Sequence, residues 1–165
     1  MANTMTLISS ATAGSGGTAS FDFTSIPGTY TDLLLKYSLR GTANDGSALL
    51  TFNGSSSSIT YRAVIGTGSS AISANDTAIY LAQDRSTYTA STFANGETYI
   101  PNYAGSNYKS SSSDSVDENN ATAATAKLVA GLWSNTAAIT RVTLTPNSGL
   151  FDQYSTAYLY GIKNS

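Results

Sequence analysis

A chain of 165 residues with no cysteine, no histidine and only 11% charged residues excludes a disulfide framework and thiolate or imidazole metal ligands. It also lacks the side chains that most often carry acid–base and nucleophilic chemistry near neutral pH. Eight Lys and Arg against ten Asp and Glu, with no basic cluster, speak against a phosphate-tracking surface, and no apolar run approaches membrane-spanning length; neither nucleic acid nor membrane is an expected partner.

The chain is instead rich in Ser, Thr, Gly and Tyr, the material of sheets and turns. Residues 1–17 read as an N-terminal arm, a short apolar strand at 5–8 followed by a Gly- and Ser-rich hinge at 13–17 that can pair with a sheet edge on a neighbour; residues 18–165 read as one domain. Gly14, Gly16 and Gly17 are not followed by Gly-Lys-Ser/Thr, so they form a connector and not a phosphate loop. The N-terminus lacks the basic and apolar regions of a secretory signal.

Phe21 and Phe23 flank Asp22 in a short strand. A turn over 25–30 follows, in which Pro27 fixes φ and Gly28 is expected at positive φ, as in a type II turn. Residues 33–40 alternate with period two, Leu33, Leu35, Tyr37 and Leu39 on one face. Strands are expected at 48–52, closed by Asn53-Gly54, and at 59–65. A strand is favoured at 72–83 over a helix capped by Asn75 or Asp76. Residues 97–100 read as a strand whose edge character is hinted at by Pro101. Residues 110–120 are the least hydrophobic stretch and read as an exposed loop. Strands at 126–133, 139–145 and 155–162 close the chain, with a turn at 146–149. Short alternating strands divided by turns, with no helical period and no repeat, predict an all-β antiparallel two-sheet sandwich with jelly-roll topology.

Asp114, Asp117 and Glu118 supply calcium-type oxygens but lack the spacing that wraps one ion, so a solvated acidic loop is expected and no metal or cofactor. Glu97 and Glu118 stand in no apolar run that would raise a carboxyl pKa. Asp22, Asp32, Asp45, Asp76 and Asp152 lie beside turns; the chain reads as non-enzymatic. Trp133 reads as core. Tyr88, Tyr99, Tyr103 and Tyr108 read first as protein-interface residues and second as glycan contacts. Sparse Leu, Ile and Val beside 11 tyrosines point to a homo-oligomer.

Two stretches carry a resemblance: Phe21-Asp22-Phe23-Thr24-Ser25-Ile26-Pro27-Gly28-Thr29-Tyr30-Thr31-Asp32-Leu33, and Ala130-Gly131-Leu132-Trp133-Ser134-Asn135-Thr136-Ala137-Ala138-Ile139 continuing through Leu144-Thr145-Pro146-Asn147-Ser148-Gly149 to Tyr158-Leu159-Tyr160-Gly161-Ile162-Lys163. Together the sequence resembles a family of small virion proteins of tailed bacteriophages of cyanobacteria and other aquatic bacteria. The resemblance implies a non-enzymatic capsid decoration (cement) protein with a jelly-roll fold. Such a protein is made in the host cytoplasm, sits as a trimer on the capsid surface and binds the major capsid protein. Its motif residues Ile26, Pro27, Gly28, Trp133, Pro146, Asn147 and Gly149 read as turn and core positions. The alternative implied is a tail-fibre or head-fibre protein that recognises host surface glycan.

Overall fold

Strands with one apolar and one polar face must bury the apolar face against another layer, and with no helix available that layer is a second sheet. The computed structural model describes residues 4–120 and 124–163. It contains the strands β1 (Met5–Thr12), β2 (Phe21–Phe23), β3 (Asp32–Leu39), β4 (Ser47–Phe52), β5 (Ile59–Gly66), β6 (Ala71–Asp76), β7 (Ile79–Ala82), β8 (Ala94–Ile100), β9 (Lys109–Val116), β10 (Ala126–Trp133), β11 (Val142–Pro146) and β12 (Thr156–Ile162). Among the described residues there is no α-helix, and so none long and apolar enough to cross a membrane.

The strands form an eight-stranded sheet, β1-β12-β3-β8-β9-β10-β5-β6, and a four-stranded sheet, β2-β11-β4-β7, with every pair antiparallel. The quartets β1-β12-β3-β8 and β2-β11-β4-β7 interleave as the chain alternates between layers, which is jelly-roll order. The remaining strands β9, β10, β5 and β6 extend the larger sheet beyond β8.

Between the sheets lies one core cluster. Leu33, Leu35, Tyr37 and Leu39 of β3 join Leu50 and Phe52 of β4 and Val142 and Leu144 of β11. Phe21 stacks on Phe151 with centroids 5.0 Å apart, and Phe52 packs obliquely on Trp133 at 6.0 Å. Trp133 is buried, as its strand context predicts.

Several expectations are corrected. Residues 1–3 of the expected arm lie outside the described residues. The rest of its apolar segment is β1, an edge strand that pairs along β12 of the same chain. Its hinge is also tied down: the Ala13 N–H donates to the Ser155 carbonyl at 2.9 Å, and the Ala13 carbonyl accepts from the Tyr154 N–H at 3.1 Å. A side chain at Gly17 (φ +70) would meet the Phe151 carbonyl at 2.7 Å. Sequence reveals an unguarded strand but not that the edge it fits belongs to its own C-terminal strand. Residues 72–83 divide into β6 and β7, which belong to different sheets. β8 lies between β3 and β9, so Pro101 terminates an interior strand and marks no edge. In the turn before β3 the left-handed residue is Ser25 (φ 54), and Gly28 has no positive φ.

The largest correction concerns 110–120, most of which is β9 inside the large sheet. Its inward residues Lys109, Ser111, Ser113 and Ser115 are buried, and its outward ones are exposed. Serine on both faces hides the period-two signal. Small inward side chains are required because the small sheet presses close here. A Cβ at Gly131, opposite Ser111, would lie 2.6 Å from Ser111 Oγ and 2.7 Å from Ile79 Cδ1. Ser113 is satisfied by Thr98, their hydroxyls 2.8 Å apart.

Candidate interaction surface

Successive residues of a strand point to opposite faces, so the register identifies what the large sheet shows to solvent. One row across its outer face runs Leu7, Tyr160, Leu34, Tyr99, Ser112, Ala130 and Arg62. The next runs Tyr158, Lys36, Glu97, Asp114, Leu128 and Val64. Leu7, Tyr99 and Tyr158 are substantially exposed, and Leu128 and Val64 reach 62% and 57% exposure. This face, with its uncovered apolar side chains, is the candidate interaction surface.

Its two rows carry four charged side chains, Lys36, Arg62, Glu97 and Asp114, two of each sign. Lys36 Nζ lies 2.8 Å from Glu97 Oε2, and that hydrogen bond raises the lysine pKa. Asp114 stands directly across from Glu97, a like-charge neighbour on the adjoining strand. Arg62 donates from Nη1 to the Tyr61 carbonyl at 2.8 Å. Among the described residues neither Asp114 nor Arg62 has an ion-pair partner.

The four tyrosines do not converge. Tyr88 lies in the loop beyond the Ala94 end of β8, half-buried, with the Arg85 guanidinium 5.6 Å from its ring centre. Tyr99 lies near the other end of β8 and donates to Asp32 Oδ2 at 2.7 Å, which raises its pKa. Tyr108 is exposed just before β9. Tyr103 is corrected from contact residue to core: it is 0% exposed, and its hydroxyl donates to the Pro27 carbonyl. That bond locks the turn holding Ile26, itself buried, to the loop after β8. Pro146 ends β11 opposite Ala48. Asn147 donates its backbone N–H to the Ser47 carbonyl at 3.0 Å and its amide to Asp45 Oδ2 at 2.8 Å. Gly149 has φ +71, and a Cβ there would meet Thr42 Oγ1 at 2.8 Å.

The acidic residues also separate. Asp114 projects outward from β9, whereas Asp117 is buried, its carboxylate accepting the Thr125 N–H. Glu118 accepts the Asn120 N–H at 2.8 Å. Among the described residues no three acidic side chains gather in a way that could hold a metal.

Two buried cations, neither singled out in the sequence, organise the loops. Arg40 donates from Nη1 to the Thr89 and Thr92 carbonyls, both at 3.0 Å, and from Nη2 to the Ser86 and Tyr88 carbonyls at 3.2 and 3.1 Å. Lys109, fully buried, donates to the carbonyls of Gly105 at 2.6 Å and of Asn107, and burial pushes its pKa down. Asp84, beside the Arg40 network, accepts from Thr92 Oγ1 at 2.5 Å, and burial raises its pKa. No local pattern marks Arg40 or Lys109, because some of their acceptors come from distant parts of the chain. Leu128 and Val64 were equally illegible: each sits in a continuous apolar run, where inward and outward residues look alike.

Compared with known protein families, curated proteins and solved structures, the chain matches none.

Proposed function

We infer that this is a structural protein of a tailed-phage particle that decorates the outer capsid, with the major capsid protein and further copies of itself as partners. The observation that carries the reading is the outer face of the large sheet. It is broad, balanced in charge and lined with exposed Leu, Val and Tyr side chains, on a jelly-roll scaffold. Further support comes from the two stretches of virion-protein resemblance. Their motif residues occupy turn and core positions of this scaffold, so they specify its shape: Ile26 and Trp133 in the core, Pro27 bound by Tyr103, and Asn147 and Gly149 in the turn before β12.

Binding that spans neighbouring capsomers favours the assembled shell over free subunits by mass action. A rigid β-scaffold suits that role because it bears load without a hinge. The rival reading, a fibre protein gripping host glycan through its tyrosines, is disfavoured by the burial of Tyr103 and by the placing of Tyr88 at the other end of β8 from Tyr99 and Tyr108. Quantitative mass spectrometry of purified particles tests the role. A copy number comparable with that of the major capsid protein is expected. A handful of copies per particle fits the fibre reading and overturns decoration.

A further inference from the structure

The distal part of the large sheet is its least covered region. β6 is exposed on both faces over most of its length, and Leu128 and Val64 lie side by side on β10 and β5, the most exposed large apolar side chains in any strand. A groove of about 490 Å³ runs beside them, edged by Arg62 and floored by Ala130.

The charges around this patch have a particular arrangement. Asp114 lies on one side of β10, level with Leu128, and Arg62 on the other side, level with Ala130. They therefore sit diagonally about the midpoint between Leu128 and Ala130. With strands ~4.8 Å apart and same-face neighbours ~6.8 Å apart along a strand, the two positions are separated by about 12 Å. Inverting through that midpoint exchanges the cation for the anion. A twofold axis lying in the face, perpendicular to the line joining them, sets each Arg62 over the partner's Asp114. The same operation carries each Leu128 to the gap between β10 and β5 of the other copy, where the groove lies.

We propose that this face binds a second copy of the chain in an isologous dimer, with Arg62 of each copy paired to the partner's Asp114 and Leu128 seated in the partner's groove. Charge complementarity selects this occupant. Asp114 is crowded by Glu97 and shares the charge of Lys36, which Glu97 holds at 2.8 Å, and Arg62 has only its neighbour's carbonyl. One contact answers both needs, and twofold symmetry makes it twice. A trimer does not follow from this face, because a self-complementary patch closes on two copies. Four strands by three rows give a footprint of roughly 400 Å² per copy, about half that of a standard specific interface, so a weak, transient dimer is expected. The proposal goes beyond the virion role and stands or falls on the free protein alone.

Sedimentation equilibrium over ~1–200 µM tests it on the full chain, with circular dichroism confirming that each variant is folded. Wild type should dimerise. Arg62→Glu and Asp114→Arg should each weaken the dimer about tenfold or more, since each change acts twice and replaces attraction by repulsion. The double variant Arg62→Glu with Asp114→Arg should restore it. Leu128→Asn, which leaves the charges intact, should also weaken it. A wild-type monomer at the highest concentration, a trimer, or a dimer indifferent to these changes would overturn the proposal. So would single variants that break a dimer which the double variant fails to rescue.

Discussion

Replacing Arg40 by Met keeps the length and apolar stem of the side chain and removes all its donors. Four backbone carbonyls, those of Ser86, Tyr88, Thr89 and Thr92, then lose their common partner. A hydrogen bond to a charged group contributes about 1.5–3 kcal/mol net, so four fully buried ones would sum to far more than is reasonable. The loop lies at the surface, and its freed carbonyls regain water once it opens. The expected loss is therefore about 3–4 kcal/mol, in the range for removing one partner of a buried charged contact. Against a typical domain stability of ~5–15 kcal/mol that is a large fraction. Urea denaturation measures the loss. Hydrogen exchange locates it, because the Tyr88 and Thr92 amides, bonded to Arg85 and Thr89 carbonyls inside the loop, should exchange faster. Arg40→Lys should fall between, a point charge being unable to reach four acceptors at once. A loss under about 1 kcal/mol with unchanged exchange would refute the view that Arg40 organises this loop.

Three further outcomes follow from specific contacts. Tyr103→Phe leaves the Pro27 carbonyl without its donor and should cost about 1 kcal/mol in urea denaturation; no change would mean that water satisfies that carbonyl. Gly131→Val forces branches into Ser111 and Ile79 and should cost about 1–3 kcal/mol or more, and a neutral result would contradict the close approach of the two sheets. Arg141 donates to Asp22 at 2.7 and 2.8 Å and holds that carboxyl below its ordinary pKa. The contribution of Asp22 is thus present above the unfolded carboxylate pKa of about 3.9 and is lost as pH falls through the lower folded value. The melting-temperature difference between wild type and Arg141→Met should accordingly exist near neutral pH and shrink in acid; a difference undiminished at about pH 2 would contradict the assignment.

What could be read in the sequence was whatever large apolar residues spelled out. β3, β10 and β12 were placed almost to the residue because Leu, Val, Trp and Tyr alternate there or fill a bounded run. β9 is hidden in the sequence because burial selects for small volume at Ser111, Ser113 and Ser115, and serine is equally at home in loops. Tyr103 reads as a contact residue because a tyrosine in a polar stretch gives no sign of the Pro27 carbonyl it meets from 76 residues away. The interaction surface depends on cross-strand register, which brings together β9, β10 and β5. Nothing local in Asp114, Leu128 or Arg62 announces that they share a face.

The decoration role is tested most directly by adding purified protein back to phage particles that lack it and imaging the shells by electron cryomicroscopy. New density is expected at regular sites on the outer capsid, bridging neighbouring capsomers, with the added particles more resistant to heat than bare ones. Shells that gain no density, or density confined to the tail or fibres, would contradict it.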